Sequence, residues 1–260
     1  MTTSELIPLN RYQQRLDHTH IERVTKRTRR HYVVDPASRP CPSITTVLGK
    51  VIPKPALMGW YQKRSREAMR DYLAGHIGEP IHAPLLDKAV AEAKIRPKSD
   101  ADEAAALGTQ AHDLINRVLL GEDPPVPDAL EVVMATFHEW FDSHHLNLVD
   151  SEVAVYGYDK KGYGYAGTID ALFERGDRLL LVDWKTSNAV YEEHKIQVAQ
   201  YARAMAPYTG SPIDAMIVRL GKDEVGFEVV EIEPGEYESL YRIWDAAFDL
   251  YNALESADAQ

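Results

Sequence analysis

The sequence predicts an α/β fold for residues 101–260, preceded by a basic, mainly helical region over residues 1–100. In the second part, the apolar runs YAGTIDALFE and RLLLVDWK are typical of central strands, and helical segments lie before and after them. A boundary is expected near Pro97 and the KSDAD segment after it, because proline ends a helix and Ser or Asp begins the next one. We therefore expect one α/β unit that follows a helical N-terminal region.

The composition, with 45% hydrophobic and 27% charged residues, is typical of a globular protein and excludes a collagen-like or wholly disordered chain. The single cysteine, Cys41, excludes an internal disulfide bond, a cysteine-rich zinc site and a four-cysteine iron–sulfur cluster. No run approaches the roughly 18 apolar residues of a membrane span, and the first residues lack the apolar stretch of a secretory signal. We expect a cytoplasmic protein without a membrane partner.

The charge is divided unevenly along the chain. Residues 1–100 contain 18 Lys and Arg against 10 Asp and Glu, whereas residues 101–260 contain 11 against 30. A basic part suits an anionic partner, and an acidic part suits divalent cations, although a solvated surface of uneven sign is the other interpretation. The candidate phosphate contacts in the basic part are Arg27, Arg29 and Arg30.

Prolines divide the rest of the N-terminal region. Four of them lie between positions 40 and 55, on both sides of a short apolar run in which Ser43 or Thr45 is suited to cap a helix. From Ala56 the segment ALMGWYQKRSREAMRDYLA predicts a helix with a basic side, and a further helical segment is expected from about Leu85 to Ile95.

The second part predicts helices and strands in a regular order. Helices end at glycine or proline signals, and strands are recognised by alternating or continuously apolar residues. The expected helices cover about 102–120, 127–145, 192–205 and 234–254, and the expected strands are SEVAVYGY, YAGTIDALFE, RLLLVDWK, DAMIVRL and GFEVVEI.

The strands YAGTIDALFE and RLLLVDWK are joined through Gly176 and Asp177, which predict a tight β-hairpin turn. If the residues flanking this turn pair with each other, Asp170 lies directly opposite Asp183. Two charges about 5 Å apart repel by roughly 3 kcal/mol at an effective dielectric of about 20. A shared proton or a bound divalent cation would offset this cost, and hard oxygen ligands suit Mg²⁺ or Mn²⁺.

Lys185 is expected on the same face of the strand as Asp183, because residues two apart share a face, while Val182 and Trp184 point to the other face. Two interpretations follow. Lys185 either acts in catalysis beside a metal ion or merely neutralises the two carboxylates as a salt-bridged triad. Charges within apolar strands are rarely tolerated without a partner, and this favours a metal site.

Two helices and one strand supply further candidates. His112 shares a helical face with apolar residues, and Gln197 and Tyr201 are four residues apart on one face of the helix after the hairpin. Glu152, in SEVAVYGY, is either another carboxylate near the metal face or a solvent-facing strand residue. Each of these residues has an ordinary structural interpretation as well, as a core histidine or a structural polar contact.

Taken in order, GTQAH, YAGTID, LLLVDWK and QVAQY resemble the PD-(D/E)XK nuclease superfamily in its RecB-type branch. Within that branch, PSITTVLGKVIPKPALMGW and the stretch from SEVAVY through VDWKTS resemble the group of the mitochondrial genome maintenance exonuclease and its bacterial and phage relatives. The resemblance spans about residues 42–205. It implies a restriction-endonuclease-like core, in which a mixed sheet around the hairpin is flanked by helices.

The resemblance also implies a set of site residues. The Mg²⁺ or Mn²⁺ ligands would be His112, Asp170, Asp183 and the main-chain carbonyl of Trp184, and Lys185 would orient or activate the water. The acid of the Asp/Glu-x-Lys motif is here Asp183 rather than the commoner Glu, which the pattern permits. The cysteines of the iron–sulfur members are absent, so no iron–sulfur cluster is expected.

These residues predict a metal-dependent deoxyribonuclease, because phosphodiester hydrolysis needs a hydroxide nucleophile and charge stabilisation, and a carboxylate-bound cation supplies both. The resemblance favours an exonuclease on single-stranded or frayed DNA ends in replication, repair or recombination, in a bacterial or phage-infected cell. Two alternatives stay open: a double-strand exonuclease of phage recombination, and a nuclease-fold DNA-binding module without catalysis. An annealing protein or a helicase is a possible partner, since no NTP-binding loop is present.

Overall fold

The computed structural model describes residues 3–7, 21–26, 29–33, 40–210 and 212–257, with side chains from Tyr32 onward. The chain divides into two compact units. The larger unit comprises Met1–Ile52 and Ala111–Gln260, and the smaller one comprises Pro53–Gln110. A boundary near residue 100 was expected from the sequence, and the structure divides the chain elsewhere.

An antiparallel sheet of four strands forms the start of the larger unit, in the order β1-β2-β3-β4. These strands are β1 (Thr3–Ile7), β2 (Ile21–Lys26), β3 (Arg29–Val33) and β4 (Cys41–Pro42). The sequence predicted a mainly helical N-terminal region, and these strands correct that prediction for the described segments 3–7, 21–26, 29–33 and 41–42. The β-branched and aromatic residues of ERVTKRTRRHYVV favour strands, and the density of basic residues concealed that preference.

Helices follow, as expected. Helix α1 (Ile44–Val51) is capped by Ser43, whose side chain accepts a hydrogen bond from the Thr46 N–H at 2.9 Å. Helix α2 (Pro55–Ala74) lies in the smaller unit, and α3 (Ala83–Leu119) belongs to the smaller unit up to Gln110 and to the larger one after it.

Pro97 lies within helix α3 and does not end it. A proline removes one helical hydrogen bond, but Pro97 is buried, and its packing helps to offset that loss. Within the smaller unit, Arg64 of α2 pairs with Glu67 at 2.8 Å and also with Asp100 of α3, and Arg96 pairs with Asp71 at 2.9 Å.

The rest of the larger unit has the predicted α/β fold, a mixed five-stranded sheet with helices on both faces. The sheet order is β5-β6-β7-β8-β9, and only β7 and β8 are parallel. The elements, after a short 3-10 helix over Asp128–Leu130, are α4 (Glu131–His144), β5 (Asn147–Tyr158), β6 (Gly164–Arg175), β7 (Arg178–Lys185), α5 (Glu192–Thr209), β8 (Asp214–Leu220), β9 (Phe227–Glu231) and α6 (Tyr237–Ala257).

The hairpin of β6 and β7 has the register that the turn predicts. Gly176 adopts a positive φ of 65°, and the strands pair from Arg175–Arg178 to Ala171–Val182. The ladder ends there, one position before Asp170 and Asp183. The two carboxylates therefore lie where the strands begin to separate.

The two faces of β7 contact different helices. Trp184 points to α4, where its ring packs edge-on against Phe137 and Trp140, with a centroid distance of 4.8 Å to Trp140. Asp183 and Lys185 point to the opposite face, toward Gln197 of α5. One face of β7 thus packs into an aromatic core, and the other face carries charged side chains.

None of the helices in the described part of the chain is long and apolar enough to span a membrane.

Candidate active site

Asp183 and Lys185 form a buried ion pair at the end of β7. The Lys185 Nζ lies 2.5 Å from Asp183 Oδ2, and Asp183 is 1% exposed. Gln197 of α5 joins the two residues, because its Nε2 donates to Asp183 Oδ1 at 2.8 Å and its Oε1 accepts from Lys185 Nζ at 3.4 Å. The amide thus defines the positions of both charged groups relative to helix α5.

Asp170 has different partners. Its Oδ2 accepts a hydrogen bond from the Trp184 backbone N–H at 2.8 Å, and its Oδ1 lies 3.2 Å from Nδ1 of His112 on α3. The structure therefore brings together the side chains of four sequence-predicted residues, His112, Asp170, Asp183 and Lys185. The contact made by Trp184 is through its N–H, whereas the sequence resemblance implied a role for its carbonyl.

The two carboxylates differ in their protonation behaviour. Burial raises the pKa of Asp183 to about 6, against the opposing Lys185 ammonium, and the nearby Asp170 charge adds to the rise. Burial also acts to raise the pKa of Asp170, but His112 first, and then Lys185 and the Trp184 N–H, more than offset it, so that this pKa lies below its usual range. The pKa values of the two carboxylates are therefore shifted in opposite directions, upward for Asp183 and downward for Asp170.

His112 shows the complementary effect. Burial acts to lower the pKa of its imidazole, but the Asp170 carboxylate outweighs burial and the net pKa is raised. The protein's own cations thus balance the two carboxylates, with His112 paired to Asp170 and Lys185 paired to Asp183.

The donor atoms suit a hard divalent cation, although the side chains are not assembled around one point. Within the described residues, no group of three or more His, Cys, Asp or Glu side chains is arranged to hold a metal ion. Asp183 Oδ2 is buried and, apart from its ion pair with Lys185, makes no hydrogen bond of normal geometry to the described residues. The two carboxylates on adjacent strands are oxygen donors of the kind that fits Mg²⁺ or Mn²⁺, and the imidazole of His112 lies beside them.

Tyr201 extends this polar cluster along α5. Its hydroxyl accepts a hydrogen bond from Gln197 Nε2 at 3.2 Å, and burial followed by the Asp183 charge raises its pKa well above the usual value. The Tyr201 ring lies directly against Gly167 of β6, where a Cβ atom would lie well inside van der Waals contact with the ring. The absence of a side chain at Gly167 therefore permits Tyr201 to approach the strand that carries Asp170.

Four further polar residues lie beside the site and were not predicted from the sequence. The Tyr32 hydroxyl of β3 hydrogen-bonds Thr168 Oγ1 at 2.9 Å, and Thr168 precedes Asp170 by two residues. Ser151 Oγ of β5 donates a hydrogen bond to Asn116 Oδ1 at 2.6 Å, and Asn116 lies one helical turn after His112 in α3. Thr168 lies within the YAGTID motif, which could have indicated it, but no sequence signal pointed to Tyr32.

The remaining predicted residues are Glu152 and the three N-terminal arginines. Glu152 adopts a positive φ of 52°, and the pairs on either side of it place it opposite Asp170 in the β5–β6 register. Such a conformation in a non-glycine strand residue is strained. Arg27 lies outside the described residues, and for Arg29 and Arg30 the structure describes only the backbone, which belongs to β3.

No family model and no curated protein sequence matches this chain. Three solved structures show a distant likeness. A candidate exonuclease from Eubacterium rectale is 14% identical, with 50% of this chain and 53% of that chain covered and a TM-score of 0.39. The protein SSO0001 is 15% identical, with 72% of this chain and 86% of that chain covered and a TM-score of 0.35, and the alkaline exonuclease of Laribacter hongkongensis is 15% identical, with 58% and 84% covered and a TM-score of 0.29. The last has also been solved in complex with dAMP, with 16% identity and a TM-score of 0.29.

This chain spans about half the length of the first of these proteins. With TM-scores below 0.5, the likenesses establish neither the family nor the activity of this chain. The geometry around Asp170 and Asp183 alone carries the functional conclusion.

Proposed function

We propose that this chain is a Mg²⁺- or Mn²⁺-dependent deoxyribonuclease of the PD-(D/E)XK superfamily, in its RecB-type branch, and that it acts as an exonuclease on single-stranded or frayed DNA ends. One observation carries the proposal. A carboxylate with a raised pKa, Asp183, lies buried beside Lys185 at the end of a strand, next to a second carboxylate, Asp170. Perturbed carboxylates that lie together with a lysine are typical of catalytic sites.

The residues divide the chemistry among them. Asp170, Asp183 and His112 would hold the cation, which when bound supplies charge stabilisation to the phosphate and a more acidic water. Lys185 would orient the attacking water, since its side chain is 16% exposed whereas that of Asp183 is only 2% exposed. Gln197 holds both Asp183 and Lys185 in place, so that the lysine keeps its direction when the ion pair loosens.

A salt-bridged triad is the purely structural interpretation of the same residues. In such a triad, Lys185 would be the main partner of both carboxylates. Here the direct contacts of Asp170 are with His112 and the Trp184 N–H, and Lys185 contacts Asp183. This division leaves Lys185 available to act beside one carboxylate, which supports the catalytic role.

The wider setting of the activity is part of the proposal. DNA is the expected substrate, and the N-terminal arginines at positions 27, 29 and 30 are proposed to contact its phosphates. The protein would act in the cytoplasm of a bacterial or phage-infected cell, in replication, repair or recombination, with an annealing protein or a helicase as partner. The kinship with the mitochondrial genome maintenance exonuclease also remains a proposal.

The test is incubation of the full chain with end-labelled single-stranded, duplex and circular DNA, in Mg²⁺, in Mn²⁺ and in chelator. We expect metal-dependent release of nucleotides from linear single strands and none from circles. The Lys185→Ala variant should lose cleavage. Lys195→Ala is the matched control and should retain cleavage, because the Lys195 ammonium pairs with Glu236, at a distance of 3.4 Å, and not with the residues of the site.

The outcome also separates the alternatives. Preferential digestion of linear duplex DNA would favour the double-strand exonuclease, and cleavage of circles would show an endonuclease. DNA binding without cleavage in either metal would indicate a non-catalytic binding module. Cleavage by Lys185→Ala within tenfold of the parent would refute the role of the lysine.

A further inference from the structure

We propose that Tyr32 is a positioning residue for Asp170, acting through Thr168, so that the N-terminal strands belong to the catalytic unit. This inference rests on the proposed function. It assigns a role at the active site to a residue of the N-terminal strands, for which the sequence predicted only contacts with phosphates. It concerns the larger unit alone, which contains all three residues.

The contact joins a buried tyrosine to a half-buried threonine. Tyr32 is 1% exposed, and its hydroxyl lies 2.9 Å from Thr168 Oγ1. A buried hydroxyl is costly unless it is hydrogen-bonded, so a tyrosine at this position depends on its partner in β6. Packing alone would be satisfied by phenylalanine.

The backbone around Asp170 explains why such a contact matters. The ladder between β6 and β7 ends at Ala171–Val182, one residue after Asp170. On the other side, β5 pairs with Ile169 and Ala171, and the residue opposite Asp170 is the strained Glu152. Asp170 itself is thus not among the paired residues of either ladder, so contacts made by its neighbours in β6 bear on its position.

Side-chain contacts act on the residues just before this interruption. Ser43, which follows β4, forms a parallel bridge with Ala166, so the N-terminal strands run beside the first half of β6. The Tyr201 ring lies against Gly167, and Tyr32 bonds Thr168. Three consecutive residues of β6, at positions 166–168, therefore make contacts outside the hairpin, and the last of them lies two residues before the carboxylate that is proposed to bind the cation.

The test is a double-mutant cycle on the full chain, with Tyr32→Phe, Thr168→Val and the double variant, and with Thr168→Ser as the conservative variant that keeps the hydroxyl. Three quantities are measured for each: kcat and KM on linear single-stranded DNA in Mn²⁺, the affinity for Mn²⁺ alone by calorimetry, and the melting temperature. Tyr163→Phe, at a tyrosine that is 50% exposed, is the matched control.

We expect Tyr32→Phe and Thr168→Val each to lower kcat by between about ten- and hundredfold, the scale on which a misplacement of about 1 Å acts. The Mn²⁺ affinity should fall with kcat, while KM stays unchanged. The melting temperature should fall by no more than about 2 to 4 °C, as for one hydrogen bond in a chain of this size. The double variant should be no worse than either single variant, because both remove the same bond.

Thr168→Ser and Tyr163→Phe should both behave like the parent. Parental kcat and Mn²⁺ affinity in Tyr32→Phe would overturn the proposal, as would losses that multiply in the double variant or a change confined to the melting temperature. A parent that neither cleaves DNA nor binds Mn²⁺ would instead refute the proposed function, and the positioning role with it. An active parent with an unaffected Tyr32→Phe variant would refute the positioning role alone.

Discussion

Asp183→Asn should change how the stability of the metal-free protein depends on pH. The pKa of Asp183 is raised from its ordinary value of 3.8 to about 6, so the native protein binds this proton more tightly than the unfolded chain. The stability that depends on the proton is present below about pH 4 and is lost as the pH rises through about 6. A change of this size corresponds to about 3 kcal/mol, and Asp183 is only 1% exposed, so solvent screens it little.

The assay is urea unfolding of parent and variant in chelator between pH 5 and pH 8. Asparagine keeps the shape of the side chain and does not titrate, so the difference in unfolding free energy between parent and variant reports the proton on Asp183 together with its coupling to Asp170 and His112. The parent should lose stability relative to Asp183→Asn by about 1 kcal/mol from pH 5 to pH 8. Saturating Mn²⁺ should stabilise the parent at pH 8 far more than the variant.

Asp214→Asn is the control with the opposite sign. Burial acts to raise the pKa of Asp214, but its bonds to Arg178 and Arg175 outweigh burial and lower it. The parent should therefore lose stability relative to Asp214→Asn only as the pH falls below about 4, so the unfolding series for this pair is extended to acid pH, and between pH 5 and pH 8 their difference should stay constant. A parent-to-variant difference for Asp183 that does not depend on pH between 5 and 8, or that grows as the pH falls, would refute the raised pKa of Asp183.

Three further predictions concern the site and its substrate. Lys185→Ala should abolish cleavage while DNA binding, measured by gel shift in chelator, stays near that of the parent. Alanine at all three N-terminal arginines, 27, 29 and 30, should weaken binding and lower the salt slope by about 0.7 per lost phosphate contact, and an unchanged slope would make their charge a solvated surface. Gly167→Ala should force the Tyr201 ring away, which should lower the free energy of unfolding by about 1 to 3 kcal/mol and remove most of the activity. In the control Gly164→Ala the new Cβ atom meets Cys41 instead, so this variant should lower the melting temperature without a comparable loss of activity.

The sequence by itself determined the structural features that depend only on residues close together in the chain. The turn at Gly176 and the two-residue period of strands were sufficient for the register of the β6–β7 hairpin, and hence for the proximity of Asp170, Asp183 and Lys185. The order of helices and strands after residue 101 followed from apolar periodicity in the same way, since period and turn chemistry are local properties of the chain.

Only the tertiary structure decided how the charges are shared. The register alone predicted a repulsion between two carboxylates. In the structure, burial raises the pKa of Asp183, whereas His112 approaches Asp170 from a helix far away in the sequence and stabilises its charge. Burial and approach from distant elements are properties of the packed chain, and no local pattern encodes them.

The N-terminal strands and helix α3 show the same division. The basic residues around position 30 indicated a surface for phosphates, yet Tyr32 in that segment is buried against Thr168, more than a hundred residues later. Pro97 indicated a helix end, yet α3 continues through it and Pro97 is buried. In both cases the outcome depends on burial in the folded chain, which a local sequence pattern does not specify.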